Sequence, residues 1–374
     1  MKILVLGHSY VVDSNRQFWN QFSVLNKASV DMVVPASWFS NLINEVTFTN
    51  NPTTDLYINK IFPVKCFKKG NGSLYFYNPF TLFKILNAKN YDYIFVFQET
   101  WALSTFEIAY LKIFTKNHST LTYLAVCQNI IKKKLAWIIP WERLITRNID
   151  RILYCTEEII KVLEWKKITC KTTYFPFTFD QNIYTYKPKK IQNNIIKIGF
   201  LGRISSEKGI QNLVEACRIL IKEGFQISLS LAGNGPLKNT FNDPFIIYRG
   251  TLPHNAAHVF YHEIDILVLP SITKTFWKEQ FGRVLVESMA SGTPVVGSSS
   301  GAIPEVLKTI NHNYIFDEGN SHSLSNKIKE VIDLMKSVHY EEELEKSRKL
   351  NLENFSHQAV AKKLFSLMQA DLIK

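Results

Sequence analysis

Short, nearly continuous apolar runs recur along the first half of the chain, at residues 2–7, 30–35, 93–97, 121–127, 151–155 and 172–175. Helix-length segments separate them. Runs without polar alternation mark strands buried on both faces, and spacing by helices marks βαβ units with a parallel sheet. A polar stretch, rich in Asn, Lys and Gln, interrupts the pattern over 180–194. The alternation then restarts, with strands predicted at 196–201, 227–232, 245–248, 264–270, 294–298 and 314–316. The chain ends in helix, with apolar residues at three- and four-residue spacing over 324–335 and 359–372. The pattern predicts an α/β protein: two Rossmann-like doubly wound domains facing a cleft, with C-terminal helices. The expected boundaries are 1–178 for the first domain, 179–195 for a linker, 196–355 for the second domain and 356–374 for a C-terminal helix packing back on the first. In such sheets ligands bind beyond the carboxyl ends of the strands, so the loops after each strand hold the candidate chemistry.

Composition changes this picture little. The 374 residues are 46% hydrophobic and 20% charged, ordinary for a globular chain long enough for two cores. Residues 1–7 read as a buried strand, not a signal peptide, and no apolar run reaches the roughly 18 residues of a membrane span. Five cysteines at irregular spacing, with no Cys-x-x-Cys, argue against a disulfide framework or a zinc site and fit a reducing cytosol. Charge is more informative. The net is +12, and residues 1–175 hold 21 Lys+Arg against 12 Asp+Glu, so about three quarters of the excess lies in the first half. A basic half attracts polyanions such as anionic lipid or nucleic acid, and charge alone does not choose between them.

The densest candidate chemistry is Glu279-Gln280-Phe281-Gly282-Arg283 through Glu287 to Gly292-Thr293-Pro294. It sets two carboxylates eight positions apart on a run that reads as helix, closed by Gly292 and Pro294. A helix start bearing unpaired N–H groups, with acceptors at both ends, suits a ligand with a central phosphate and flanking hydroxyls. If the whole run were helical it would span about 12 Å. After strand 196–201 comes Gly202-Arg203-Ile204-Ser205-Ser206-Glu207-Lys208-Gly209. Arg203 as a fork and Lys208 as a point charge suit a diphosphate clamp; a solvated basic turn is the competing reading. Gly233-Asn234-Gly235-Pro236 reads as a tight turn, and Arg249-Gly250-Thr251-Leu252-Pro253 as backbone bare enough to meet a base edge.

Six loops, Gly202–Gly209, Gly233–Pro236, Gly250, Asp265–Ser271, Glu279–Glu287 with Gly292–Val296, and Gly301-Ala302-Ile303-Pro304-Glu305, together resemble the donor domain of the group 1 (family 4) retaining glycosyltransferases, which have the GT-B fold. The likeness covers about residues 195–320. The first half resembles the family in architecture and in Gln128-Asn129-Ile130. The resemblance implies that Arg203 and Lys208 bind the donor diphosphate, with Gly202, Gly233 and Gly235 in the loops around it. Glu287 accepts from the ribose hydroxyls, and Glu279 holds the sugar. Backbone N–H groups of Phe281, Gly282 and Arg283 face sugar and phosphate, and Leu252 borders the base. It implies a front-side transfer in which the protein's cations stabilise the leaving group without a metal; no Asp-x-Asp occurs. His254, His258 and His262 recur at four-residue spacing, and a solvated helix face is the reading preferred over a metal site. Where family members carry a Gly-Gly pair and a sugar-contacting His, this chain has Gly7-His8-Ser9 and Cys127-Gln128-Asn129. The acceptor-side candidates are therefore His8, Gln128, Asn129, Glu99 and Trp101.

Residues 130–141 combine Lys132, Lys133 and Lys134 with Trp137 and Trp141. A membrane-interface segment and a core helix with a charged outer face both fit. The expected partners are a nucleotide-sugar donor, a glycan or lipid-linked acceptor and an anionic membrane surface, with no nucleic acid and no cofactor beyond the substrate. The expected pathway is bacterial cell-surface polysaccharide or lipopolysaccharide synthesis, and the expected location is the cytoplasm, peripheral to the inner face of its membrane. Competing readings are a sugar-nucleotide epimerase, a phosphorylase and a non-catalytic nucleotide-sugar-binding protein. A nicotinamide oxidoreductase would need a Gly-x-Gly-x-x-Gly turn, which neither Gly7-His8-Ser9 nor Gly202-Arg203-Ile204 opens.

Overall fold

The computed structural model describes residues 1–40, 45–49, 55–187, 189, 194–253 and 256–373. It forms two compact units, Met1–Pro176 with Val360–Lys374, and Phe177–Ala359.

In the first unit the strands are β1 (Lys2–Leu6), β2 (Ser29–Pro35), β3 (Ser37–Ser40), β4 (Glu45–Phe48), β5 (Lys60–Val64), β6 (Cys66–Phe67), β7 (Phe76–Tyr77), β8 (Tyr93–Phe97), β9 (Leu121–Val126), β10 (Arg151–Tyr154) and β11 (Lys171–Tyr174). The helices are α1 (Gln17–Asn26), α2 (Pro79–Ala88), α3 (Leu103–Leu111), α4 (Ile139–Thr146) and α5 (Glu157–Trp165). A seven-stranded parallel sheet runs β11-β10-β9-β8-β1-β2-β5. Strand β1 is buried from Ile3 to Leu6, and β8 from Tyr93 to Val96, as central strands covered on both faces must be. The edge strand β5 was not predicted: Pro63 cannot donate a ladder hydrogen bond and marks an edge, and of its five residues only Val64 is buried. Sequence order reverses between β1 and β8, so the loops Gly7-His8 and Gln98-Glu99 flank the switch point.

In the second unit the strands are β12 (Ile195–Leu201), β13 (Gln226–Ala232), β14 (Ile246–Gly250), β15 (Ile266–Leu269), β16 (Val295–Ser298) and β17 (Ile315–Phe316). The helices are α6 (Ile210–Lys222), α7 (Ala257–Glu263), α8 (Arg283–Ala290), α9 (Ile303–Thr309), α10 (Ser321–Lys336) and α11 (Tyr340–Phe355). The sheet is again parallel, in the order β14-β13-β12-β15-β16-β17. Its switch point lies between β12 and β15, which places the Gly202–Lys208 loop beside Pro270-Ser271. All six strands of this unit fall where the apolar runs predicted them.

The polar stretch 179–195 is not a solvated tether throughout. Phe179 and Tyr184 are buried in the second unit, and Lys189 is buried with its Nζ donating to the Tyr261 carbonyl at 2.8 Å. The final helix, α12 (His357–Leu372), contributes Val360, Ala361, Leu364 and Met368 to the core of the first unit. The Arg151 guanidinium grips Asp371 there, with Nη2 at 2.8 Å from both carboxylate oxygens. Among the described residues no helix is long and apolar enough to cross a membrane. The five cysteines are free thiols.

Candidate functional site

In the second unit the Gly282 backbone decides the geometry. Its φ of 81° puts it in the left-handed region, and α8 begins after it at Arg283. The expected helix across the whole 279–287 run is therefore corrected: residues 279–282 form a turn and only the second carboxylate is on the helix. A Cβ at Gly282 would stand 2.8 Å from Leu269 Cδ2 and 3.1 Å from Leu285 Cδ1, and the positive φ strains any residue that carries one. Phe281 is buried between the rings of Phe177 and Phe355 at 5.6 and 5.5 Å and anchors the turn. The far end closes as predicted: Gly292, at φ 82°, donates to the Met289 carbonyl at 3.1 Å.

Glu279 and Glu287 are both buried, 8% and 5% exposed, which rules out an ordinary solvated face for either. Glu279 Oε2 accepts from Lys208 Nζ and from Ser271 Oγ, each at 2.7 Å. Its carbonyl accepts from the Ala302 N–H at 3.1 Å, so the Gly301-Ala302 loop holds the turn from behind. Lys208 also lies 4.8 Å from the centre of the Trp277 ring. Glu287 Oε2 accepts from the Tyr261 hydroxyl at 2.9 Å, and Arg283 Nη2 lies 3.3 Å from Oε1. The two carboxylates are thus held by different cations at the two ends of one short element.

Arg203 lies exposed on the loop that carries Lys208. Both charges act on Glu207 between them: burial pushes that carboxyl up, but local hydrogen bonding and the two cations outweigh it and leave it below the ordinary value. Gly202, Gly233 and Gly235 hold the loops together. A Cβ at Gly233 would stand 1.9 Å from the Gly202 carbonyl oxygen, and one at Gly235 2.3 Å from that of Ile204. Leu252 is half-buried just beyond β14. Gly209 has the closest approach, 1.8 Å from its built Cβ to the Pro270 carbonyl oxygen, at φ 69°. Gly209→Ala should therefore cost about 1–3 kcal/mol through strain at this contact. Chemical denaturation reads it as a lowered midpoint, and a wild-type midpoint would contradict the close packing of the two loops.

In the first unit, four of the five acceptor-side candidates lie along the loops after β8 and β9. Lys166 Nζ donates to Gln128 Oε1 at 2.7 Å and pairs with Glu142 at 3.0 Å. It stands 4.8 Å from the centre of the Trp101 ring. Glu99 Oε1 accepts from the Cys127 N–H at 3.0 Å, and Asn129 is buried beside it in sequence. Burial pushes the Lys166 ammonium down and the Glu99 and Glu142 carboxyls up. His8 is held elsewhere, against Trp38, Tyr75 and Gln98. Sequence reasoning missed Lys166, Glu142, Ser271 and Tyr261. Ser271 follows an apolar strand and was within reach of inference; the others meet their partners only through tertiary packing. The segment over 133–138 is a 3-10 turn with no buried residue, so the core-helix reading of it is corrected. His254 lies outside the described residues, and among those described no group of three or more His, Cys, Asp or Glu is placed to hold a metal.

Two parallel doubly wound units of this kind define the GT-B fold. Sucrose-phosphate synthase from Thermosynechococcus elongatus superposes with a TM-score of 0.72 at 15% identity, over 100% of this chain and 99% of that one. Anabaena Alr3699/HepE in complex with UDP-glucose does so with a TM-score of 0.68 at 14% identity, over 99% of this chain and 100% of that one. Residues 185–348 match the model of the family "Glycosyl transferases group 1". The capsular polysaccharide biosynthesis glycosyltransferase CapM of Staphylococcus aureus is 27% identical over 165 residues, 42% of each chain. The amylovoran biosynthesis glycosyltransferase AmsK of Erwinia amylovora is 28% identical over 139 residues, 35% of this chain and 34% of its own. The matched stretch thus spans less than half the length of these two relatives.

Proposed function

We propose that this protein is a retaining, metal-independent glycosyltransferase. It moves a sugar from a nucleotide-sugar donor to a glycan or lipid-linked acceptor in bacterial cell-surface polysaccharide synthesis. The observation that carries the reading is the pair of buried carboxylates, Glu279 on Lys208 and Ser271, and Glu287 on Tyr261 and Arg283. A carboxylate offers about four acceptor positions, so Glu287 retains capacity for the ribose hydroxyls while its protein partners fix its pose. Lys208 and Arg203 supply charge for the leaving diphosphate, and the amides at the start of α8 add their dipoles. Glu279 holds the sugar hydroxyls and the charge developing near the anomeric carbon. The CapM and AmsK names support the polysaccharide pathway, and the HepE complex with UDP-glucose supports a nucleotide-sugar donor.

A thermal-shift screen of nucleoside diphosphates and nucleotide sugars in EDTA tests the donor reading. A ligand at 100 times its Kd adds about 2.7 kcal/mol of stability, so the true base and sugar should stand out. A flat response across the panel would contradict it.

The acceptor is at a membrane on this reading, and one segment suits that setting. Trp137 is 77% and Leu135 41% exposed, next to exposed Lys133 and Lys134. Between residues 130 and 149 the sole carboxylate is Glu142, which is buried and paired with Lys166. Exposed Trp with several cations and no exposed acid matches an anionic headgroup layer. Flotation should carry the protein with anionic phosphatidylglycerol vesicles at low salt. Trp137→Ser with Lys133→Ser and Lys134→Ser should reduce the bound fraction at least about tenfold, since each lysine near such a surface contributes about 1 kcal/mol. Wild-type protein remaining at the bottom of the gradient would remove the membrane from the account.

A further inference from the structure

The loops at the switch point of the first unit define more than a turn around His8. The imidazole packs on Trp38 at 4.7 Å between ring centres and on the Tyr75 edge at 5.6 Å. Its Nδ1 lies 3.3 Å from Gln98 Nε2. Which way the Gln98 amide points is fixed independently, because the backbone N–H of Glu99 donates to Gln98 Oε1 at 3.0 Å. An N–H requires an oxygen, so the amide NH2 must face the histidine. That NH2 can only donate. His8 Nδ1 is therefore an acceptor and carries no proton, and in a neutral ring the proton sits on Nε2. Burial lowers the imidazole to about 4, which keeps the ring neutral at ordinary pH.

Among the described residues no hydrogen bond reaches Nε2. Its edge faces Gly72, where a built Cβ would stand 3.9 Å away, and the residue is half-buried rather than sealed. Trp38 is half-buried as well and supplies an apolar wall for a sugar ring, with the buried Tyr75 ring packed against it. We infer that His8 is a fixed Nε2–H hydrogen-bond donor to an oxygen of the acceptor sugar, and that Gln98 is the positioning residue that sets its tautomer. The ligand-contacting part rests on the transferase reading above; the tautomer part does not. The arrangement demands a ligand oxygen that accepts, such as a sugar hydroxyl or ring oxygen. It disfavours an ammonium, which would meet an N–H.

Long-range proton–nitrogen NMR on the full chain with labelled histidine tests both parts, His8 being assigned by its loss in His8→Phe. In the wild type, Nε2 should show the shift of a protonated nitrogen and Nδ1 that of a bare one. Gln98→Glu should reverse this, because a carboxylate can only accept and would draw the proton to Nδ1. A proton on Nδ1 in the wild type, or no change in Gln98→Glu, overturns the positioning role. A series of n-octyl glycosides up to about 10 mM should then perturb the His8 resonances in the wild type, and about tenfold less strongly in Gln98→Glu. That factor is what one ordinary hydrogen bond of about 1.4 kcal/mol confers. A His8 signal unmoved by every glycoside overturns the ligand contact, whatever the nucleotide screen has shown for the other unit.

Discussion

Lys208→Ala should lower kcat by about 10²- to 10³-fold with the donor that the nucleotide screen selects, the usual effect of deleting one donor aimed at developing charge. Two losses combine. The diphosphate loses a cation at the moment it takes up charge, and Glu279, 8% exposed, loses the ammonium on its Oε2 while the Ser271 hydroxyl stays. The split between kcat and KM is informative. An interaction made chiefly in the transition state moves kcat and kcat/KM together, whereas one that merely anchors the donor moves KM alone. Arg203→Ala should act in the same direction, but it does not take a cation from a buried carboxylate. Steady-state transfer assays on both variants read the difference. Near-normal turnover in Lys208→Ala would take the leaving-group role away from this loop.

The second large effect is on stability. Lys166→Met should destabilise the first unit by about 3–5 kcal/mol at neutral pH, because it leaves the Glu142 carboxylate buried without its cation. The two side chains are 5% and 1% exposed, so water cannot replace the pair. The sign of the pH dependence follows from burial, which already raises the Glu142 carboxyl. With Lys166 gone that rise grows, so the folded variant binds a proton that the unfolded chain releases. Its stability is then best preserved below the ordinary carboxyl value near 4.5 and is lost as pH rises through the raised one. Denaturant melts at pH 5 and pH 8 should show a larger deficit at the higher pH. Adding Glu142→Leu should recover most of the loss, since an apolar pair of similar volume is often neutral. An equal deficit at both pH values would mean that lost packing, not an unpaired charge, is responsible. The same lysine holds Gln128 Oε1, so the variant also tests whether that side chain needs support to meet a substrate.

The contrast between what the chain order reveals and what it hides is physical. Strands such as Ile266–Leu269 and Val295–Ser298 are buried at every position, and a run of apolar residues states that directly. Glycines in the loops were legible for a similar reason: Gly209, Gly233 and Gly282 each sit at positive φ. A Cβ at Gly209 or Gly233 would meet other backbone, and one at Gly282 the Leu269 and Leu285 side chains, so these glycines let their loops pack closely. Strand Lys60–Val64 was hidden because an edge strand with a proline and exposed faces carries no such run. The start of α8 was misplaced because Glu279-Gln280-Phe281 has ordinary helical character, and only packing against Leu269 shows why the turn must precede Arg283. The Lys166–Glu142 pair joins residues 24 positions apart, and Tyr261–Glu287 residues 26 apart. Those long-range partners are what turn legible candidates into fixed side chains.

Crystals grown with a nucleotide sugar in EDTA put the matter most directly. The bound pyrophosphate should contact the Lys208 ammonium and the Arg203 guanidinium, with the ribose hydroxyls on Glu287 and no metal between them. A pyrophosphate seated away from both cations, or bound only when magnesium is restored, would contradict it.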